Sequence, residues 1–113
     1  MQRERRLTRR AEFARVFGEG KGWAHPLFIL RAARSDRDVS RYGFSVSKRL
    51  GKAVVRNRVR RLLREAARLT PTKPGWDIVL IARPAAAGAG FHEIKVALEQ
   101  ILRRAGLLEE GSP

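Results

Sequence analysis

KRLGKAVVRNRVRRLLREAARL, spanning Lys48–Leu69, carries nine cationic side chains and one carboxylate. Placed on a helix at about 100° per residue with Arg56 at zero, Arg60 falls at about 40°, Arg64 at about 80°, Asn57 at about 100°, Arg68 at about 120° and Arg61 at about 140°. Val55, Val59, Leu62, Leu63, Ala66 and Leu69 fall on the other side, from about −140° to about −20°. The spacing predicts one long helix over about Ala53 to Leu69, with a core face and a ladder of guanidinium groups opposite. Arg58, at about 200°, lies beside Glu65, at about 180°, so it flanks the ladder and suits a structural or an RNA-contacting role equally. Asn57 sits among the arginines and adds a donor and an acceptor without charge, as a metal-bound water or a ribose hydroxyl would require.

A helix with one apolar face needs a layer to lie on, and the flanking stretches supply strands. RYGFSVS, Arg41–Ser47, alternates Phe44 and Val46 with Ser45 and Ser47, and LFILRAA, Leu27–Ala33, reads as a partner joined to it by the polar turn RSDRDVS. The two are expected to form a hairpin with one polar face. WDIVLIA, Trp76–Ala82, is nearly continuous in apolar character, as a strand buried on both faces is. The two prolines of TPTKPG stop the long helix before it. Upstream, a basic arm over residues 1–7 precedes a helix from an N-cap at Thr8 through Phe17, with Phe13, Val16 and Phe17 at helical spacing and GEGKG as its stop. Downstream, PAAAGAG leads into a last helix whose stripe is Ile94, Ala97, Leu98, Ile101 and Leu102. Gly106 ends it, and a tail over about 107–113 is expected to fray. The order α-β-β-α-β-α describes a single α+β domain over residues 1–113, with helices layered on a small sheet.

The charge of the ladder extends to the whole chain. In 113 residues, 25 Lys and Arg stand against 11 Asp and Glu, a formal charge of +14. A field of that sign selects polyanionic partners. Arginine outnumbers lysine 20 to 5, which favours bidentate grip on phosphate and stacking on bases over attraction to a membrane surface. The ladder itself contains no acid, whereas solvated faces mix signs to gain i,i+4 pairs. Arginines repelling one another along a helix cost stability that a phosphate backbone offsets.

Other chemistries find little support. Without cysteine there is no disulfide framework, thiolate nucleophile or zinc finger. The start, MQRERRLTRR, is followed by no apolar segment, so neither a signal peptide nor a membrane span is expected, and the cytoplasm is the expected compartment. His25 and His92 have no acidic or imidazole neighbour in sequence and read as structural or surface residues. Asp36 and Asp38 form an Asp-x-Asp within an arginine-flanked turn, and GEGKG lacks the strand and the Ser or Thr of a phosphate loop. No constellation for protein-only hydrolysis emerges.

SVSKRLGKAVVRNRVRRLLRE, Ser45–Glu65, resembles the signature of the bacterial ribonuclease P protein subunit, a strand ending in Ser-Val-Ser-Lys that runs into a helix with an Arg-Asn-Arg core. The resemblance extends over nearly the whole chain, through the Phe-x-x-Val-Phe helix to WDIVLIARP. It implies a two-layer sandwich with a small mixed sheet, a left-handed βαβ crossover and a ribosomal protein S5 domain 2-like fold, although general statistics favour right-handed crossovers. It implies a subunit, monomeric when free, that binds the catalytic RNA and the 5′ leader of precursor tRNA. The active site and the Mg²⁺ are expected to be held mainly by the RNA, with no metal bound tightly by the protein. Arg49, Arg56, Asn57, Arg60, Arg61 and Arg64 correspond to the basic RNA-binding region, bounded here by Lys48 and Arg68. Phe13 and Phe17 correspond to the wall of the leader cleft, where unpaired bases can stack, although periodicity alone suits core packing as well. Arg31 stands where some members carry an aromatic residue, so contact there is expected to be ionic.

Composition and helix phase fit a non-catalytic RNA-binding protein of the ribosome equally well, and only the extended signature separates the two. A DNA regulator lacks helix-turn-helix spacing and a dimerisation element. A membrane-surface helix would need an apolar face that the core already uses.

Overall fold

The computed structural model describes residues 1–110; the last three positions of the expected tail lie outside the described residues. Three helices, α1 (Arg10–Glu19), α2 (Ala53–Leu69) and α3 (Phe91–Ala105), surround four strands, β1 (Lys21–Ala24), β2 (Phe28–Arg34), β3 (Arg41–Ser45) and β4 (Trp76–Ala82). Short 3-10 turns occupy Arg3–Arg5, Lys48–Leu50 and Pro84–Gly88.

The sheet runs β1-β2-β4-β3, antiparallel except for the parallel pair β3 and β4. The expected hairpin between β2 and β3 does not form, because β4 lies between them. β4 is the one strand rich in apolar side chains on both faces, so a central position buries it best. Ile78, Leu80 and Ala82 face one layer, Val79 and Ile81 the other. With β3 and β4 parallel, their connection must cross the sheet, and α2 is that crossover. The element order also gains a strand. Lys21–Ala24, read from sequence as part of a helix stop and loop, pairs with β2 in the register Lys21 to Ala32 through Ala24 to Ile29. So short a strand, with Gly22 inside it, carries too little alternation to be legible in the sequence.

One face of the sheet holds the main core. Phe28, Leu30, Ile78 and Leu80 pack with Val59, Leu63 and Ala66 of α2 and with all five stripe residues of α3. Leu69, expected on the core face of α2, is 44% exposed, and Ala67 is buried there instead. The other face holds a small cluster of Leu7, Val16, Ala33 and Val79 beneath α1. The expected cap of α1 is also displaced. Arg9 is the N-cap residue, and Glu12 reaches back to accept from the backbone N–H of Thr8 (3.0 Å) and Arg9 (2.9 Å). At the far end of the molecule, Gly106 adopts φ 75°, the left-handed cap of α3. The segment expected to fray from about 107 is instead tied down: Leu107 is buried, its carbonyl accepts from the N–H of Lys73 at 2.8 Å, and Leu108 bridges Thr72.

Candidate nucleic-acid interface

α2 begins where the sequence places it, after a turn whose backbone only glycine adopts readily: Gly51 has φ 135°. Lys48 and Arg49 stand exposed on the preceding turn, which Ser47 caps by accepting from the N–H of Arg49. Leu50 anchors that turn in the core. Along the helix, Arg56 Nε donates to the carbonyl of Gly51 (3.2 Å) and Arg60 Nη1 to Asn57 Oδ1 (3.2 Å). Asn57 therefore has its acceptor in use and its amide N–H groups available. Among the described residues, Arg61 has no side-chain partner, and Arg64 Nε is buried without one. Arg68 closes the ladder differently, paired with Glu65 one turn back, which holds the Glu65 carboxyl below its ordinary range. Of the two roles open to Arg58, the structure shows the structural one: its guanidinium donates to the carbonyls of Ala87 (3.4 Å) and Ala89 (3.1 Å), tying α2 to the turn before α3.

The second region lies on the opposite face of the sheet. Residues directly across a strand pair point to the same side, so the registers set out three rows. Ala33, Asp77 and Arg41 form one, Gly22, Arg31, Val79 and Gly43 the next, and Ala24, Ile29, Ile81 and Ser45 the last. α1 crosses the first two rows. Phe13 packs on Gly43, where an added Cβ would stand 2.6 Å from the ring. Arg31 Nη2 donates to the carbonyls of Phe17 (2.7 Å) and Gly20 (2.8 Å) at the end of α1. The last row is left partly open: Ile29, Ile81 and Ser45 are half-buried and Ala24 is exposed. Phe17 is 42% exposed.

Phe13 and Phe17, which the sequence treats alike, thus separate into a packed and an exposed ring. Arg31 lies on the sheet face that carries α1, and much of its donor capacity is spent on the end of that helix. Sequence reasoning missed the charged group beneath that helix. Asp77, 1% exposed, accepts from Arg41 Nε (3.0 Å) and Nη2 (2.9 Å) and from Arg15 Nη2 (2.6 Å). Arg41 Nη1 donates on to Glu12 Oε2 at 2.6 Å. Burial alone would raise the Asp77 carboxyl, but the Arg41 and Arg15 donors overturn this and hold it low. The Arg9 N–H, with Thr8 and Arg41, outweighs burial at Glu12 and brings it to about 2. A lone carboxylate inside the apolar run WDIVLIA was the available signal.

Among the described residues, no three His, Cys, Asp or Glu side chains converge as a metal site. Buried Asp77 and part-buried Glu12 are already neutralised by arginine, so these donors do not fit a resident divalent cation. His25 Nδ1 accepts from the N–H of Leu27 (3.1 Å), its Nε2 lies 3.4 Å from Gln100 Oε1 on α3, and the ring stacks on Phe28. No helix is long and apolar enough to cross a membrane among the described residues.

The family model described as Ribonuclease P matches residues 1–106. The Ribonuclease P protein component of Roseiflexus castenholzii is 45% identical over 112 residues, covering 96% of this chain and 92% of the relative. Among solved structures, the RNase P protein from Staphylococcus aureus superposes with a TM-score of 0.82 at 31% identity, covering 93% of this chain and 98% of that one. The RNase P protein from Thermotoga maritima gives 0.78 at 32% identity, covering 94% and 98%.

Proposed function

The chain belongs to the ribonuclease P protein family, and on that premise we propose that it docks on the catalytic RNA through the α2 ladder and holds the 5′ leader of precursor tRNA along the open row beside α1. The observation that carries the first half is the distribution of charge pairing. Along the ladder only Arg68 has a carboxylate partner, and Arg56, Arg60, Arg61 and Arg64 have none among the described residues, so four guanidinium groups share one helix face without a counter-charge. Phosphates are the ligands that such a row of forks fits.

For the second half, the open row offers Ile29 and Ile81 for apolar contact and is adjoined by Arg31, which bonds the carbonyl of the exposed Phe17. Bases of a single strand stack on an aromatic face without regard to sequence, and a nearby guanidinium meets the phosphates. The protein's part in the reaction is binding and orientation. Mg²⁺, when bound by the RNA, supplies the activation of water and the stabilisation of charge on the leaving oxygen. The chain's own cations lower the repulsion between two RNA molecules at the site of cleavage. The free protein is proposed to act as a monomer in the cytoplasm.

Cleavage of precursor tRNA at low Mg²⁺ tests this, with the protein alone, a bacterial ribonuclease P RNA alone, and the two mixed. Activity in the mixture only is expected. No gain on mixing would transfer the ladder to some other structural RNA.

A further inference from the structure

The two faces of the sheet hold their helices by different means. α2 and α3 each bury four or five side chains in one continuous core, whereas α1 buries only Val16 completely. The apolar cluster under α1 is small, and a charged group below the helix adds to it. Two carboxylates and two guanidinium groups cancel in charge, and α1 contributes Glu12 and Arg15 while the sheet contributes Asp77 and Arg41. Asp77 is the hub, receiving donors from both sides, and Glu12 turns its second oxygen to the backbone N–H groups of Thr8 and Arg9 just ahead of the helix.

We propose that Asp77 is a positioning residue: through Arg41 and Arg15 it fixes the seat of α1, and thereby the opening over the row Ala24, Ile29, Ile81 and Ser45, so that it governs discrimination between precursor and mature tRNA without touching RNA. The second half of this inference rests on the leader reading above. Distance from that row follows from the register, since Asp77 and Arg41 lie two rows away from Ile81 and Ser45 on the same strands.

The chemistry favours a seat over a simple attachment. Apolar contact is tolerant of sliding, but the forks of Arg41 and Arg15 must meet fixed oxygens, so they set the helix in register as well as in place. Phe13 on Gly43 and Arg31 on the carbonyls of Phe17 and Gly20 then define the remaining two points. Phe17 follows the helix that carries it. Asparagine at position 77 would keep the volume and one acceptor oxygen but leave Arg41, 8% exposed, without its main counter-charge.

The test uses the complex reconstituted with ribonuclease P RNA. Asp77→Asn is expected to raise amide exchange across residues 10–19 about tenfold or more while exchange in α2 stays the same, and to reduce the precursor-to-mature affinity ratio about tenfold with affinity for the catalytic RNA unchanged. Should Asp77→Asn fail to fold, Arg15→Ala, at a side chain one-third exposed, removes the bonds of α1 to Asp77 and to the Arg34 carbonyl while Glu12–Arg41 stays, and should show both effects in weaker form. Unchanged exchange in α1 overturns the inference. Phe17→Ala measured alongside separates it from the leader reading. A ratio lost in Phe17→Ala but kept in an Asp77→Asn protein with a loosened α1 overturns the positioning role. A ratio kept in Phe17→Ala overturns the leader reading itself, together with the discrimination that Asp77 is proposed to govern.

Discussion

Phe17 and Phe13 show how little separates a site residue from a core residue. Both lie on the apolar stripe of α1, yet Phe13 rests on Gly43 whereas Phe17 projects at the last turn with 42% of its surface exposed. Replacing Phe17 with Ala is expected to weaken precursor tRNA binding by about 1–3 kcal/mol, the range for one stacked base, and to leave mature tRNA binding nearly unchanged. Equal losses for both in a filter-binding assay would make it a packing residue. Gly43→Ala should act from beneath: its methyl would drive Phe13 outward and lower stability by about 1–3 kcal/mol, read as a shifted denaturant midpoint. Which of the two rings stays exposed was not legible in the sequence, since periodicity assigns a face and cannot say how far the opposing sheet extends under it. Arg31 was legible in place but not in use, because its partners are backbone carbonyls 14 and 11 residues away, and those leave no mark on side-chain patterns.

Among the elements, α2 matches its expected bounds of Ala53–Leu69, and β4 matches Trp76–Ala82. Both are long and strongly patterned, one at a period of 3.6 and the other by continuous burial, so local signals agree with tertiary need. The pairing of strands failed instead. Neighbours in sequence usually pair, and only the burial of β4 on both faces argued for a strand between β2 and β3. The ladder makes its prediction at this scale. Changing Arg60 and Arg61 together to Ala should lower affinity for ribonuclease P RNA and reduce the steepness of its salt dependence by about 1–2 in log-log slope, as loss of two phosphate contacts requires. The far-ultraviolet circular dichroism of the protein should be unchanged, since neither side chain enters the core, and a lost helical signal would contradict the assignment. Arg58→Ala should do the reverse, lowering the melting temperature through the released Ala87 and Ala89 carbonyls, with a smaller effect on RNA affinity.

For the molecule as a whole, a charge of +14 is offset only locally, and its consequences are global. About six phosphate contacts by the ladder would give RNA affinity a salt slope of about −4 to −5, and a shallow slope would remove the ladder from the interface. Acid stability follows from the group under α1. Glu12 is depressed to about 2, and Asp77 is also held low. Carboxyls depressed on folding stabilise the protein above their unfolded values, near 4, and that contribution disappears as pH falls through the folded values. The melting temperature should therefore hold above about pH 5 and fall from about pH 4 toward 2, less steeply in Glu12→Gln. A wild-type protein and a Glu12→Gln variant with parallel acid profiles would show that the pair contributes no stability there.

The order β1-β2-β4-β3 also has a consequence for how the chain is made. A ribosome that has delivered everything as far as Gly75 has produced three strands but not the four-stranded sheet: a β1–β2 hairpin with one side bare, and β3 waiting for a neighbour. The strand that joins them is the last of the four to emerge, and nearly every contact it makes reaches back across tens of residues, the kind of closure that is slow. Until then the nascent protein displays both an unpaired strand edge and its cationic helix within reach of ribosomal RNA.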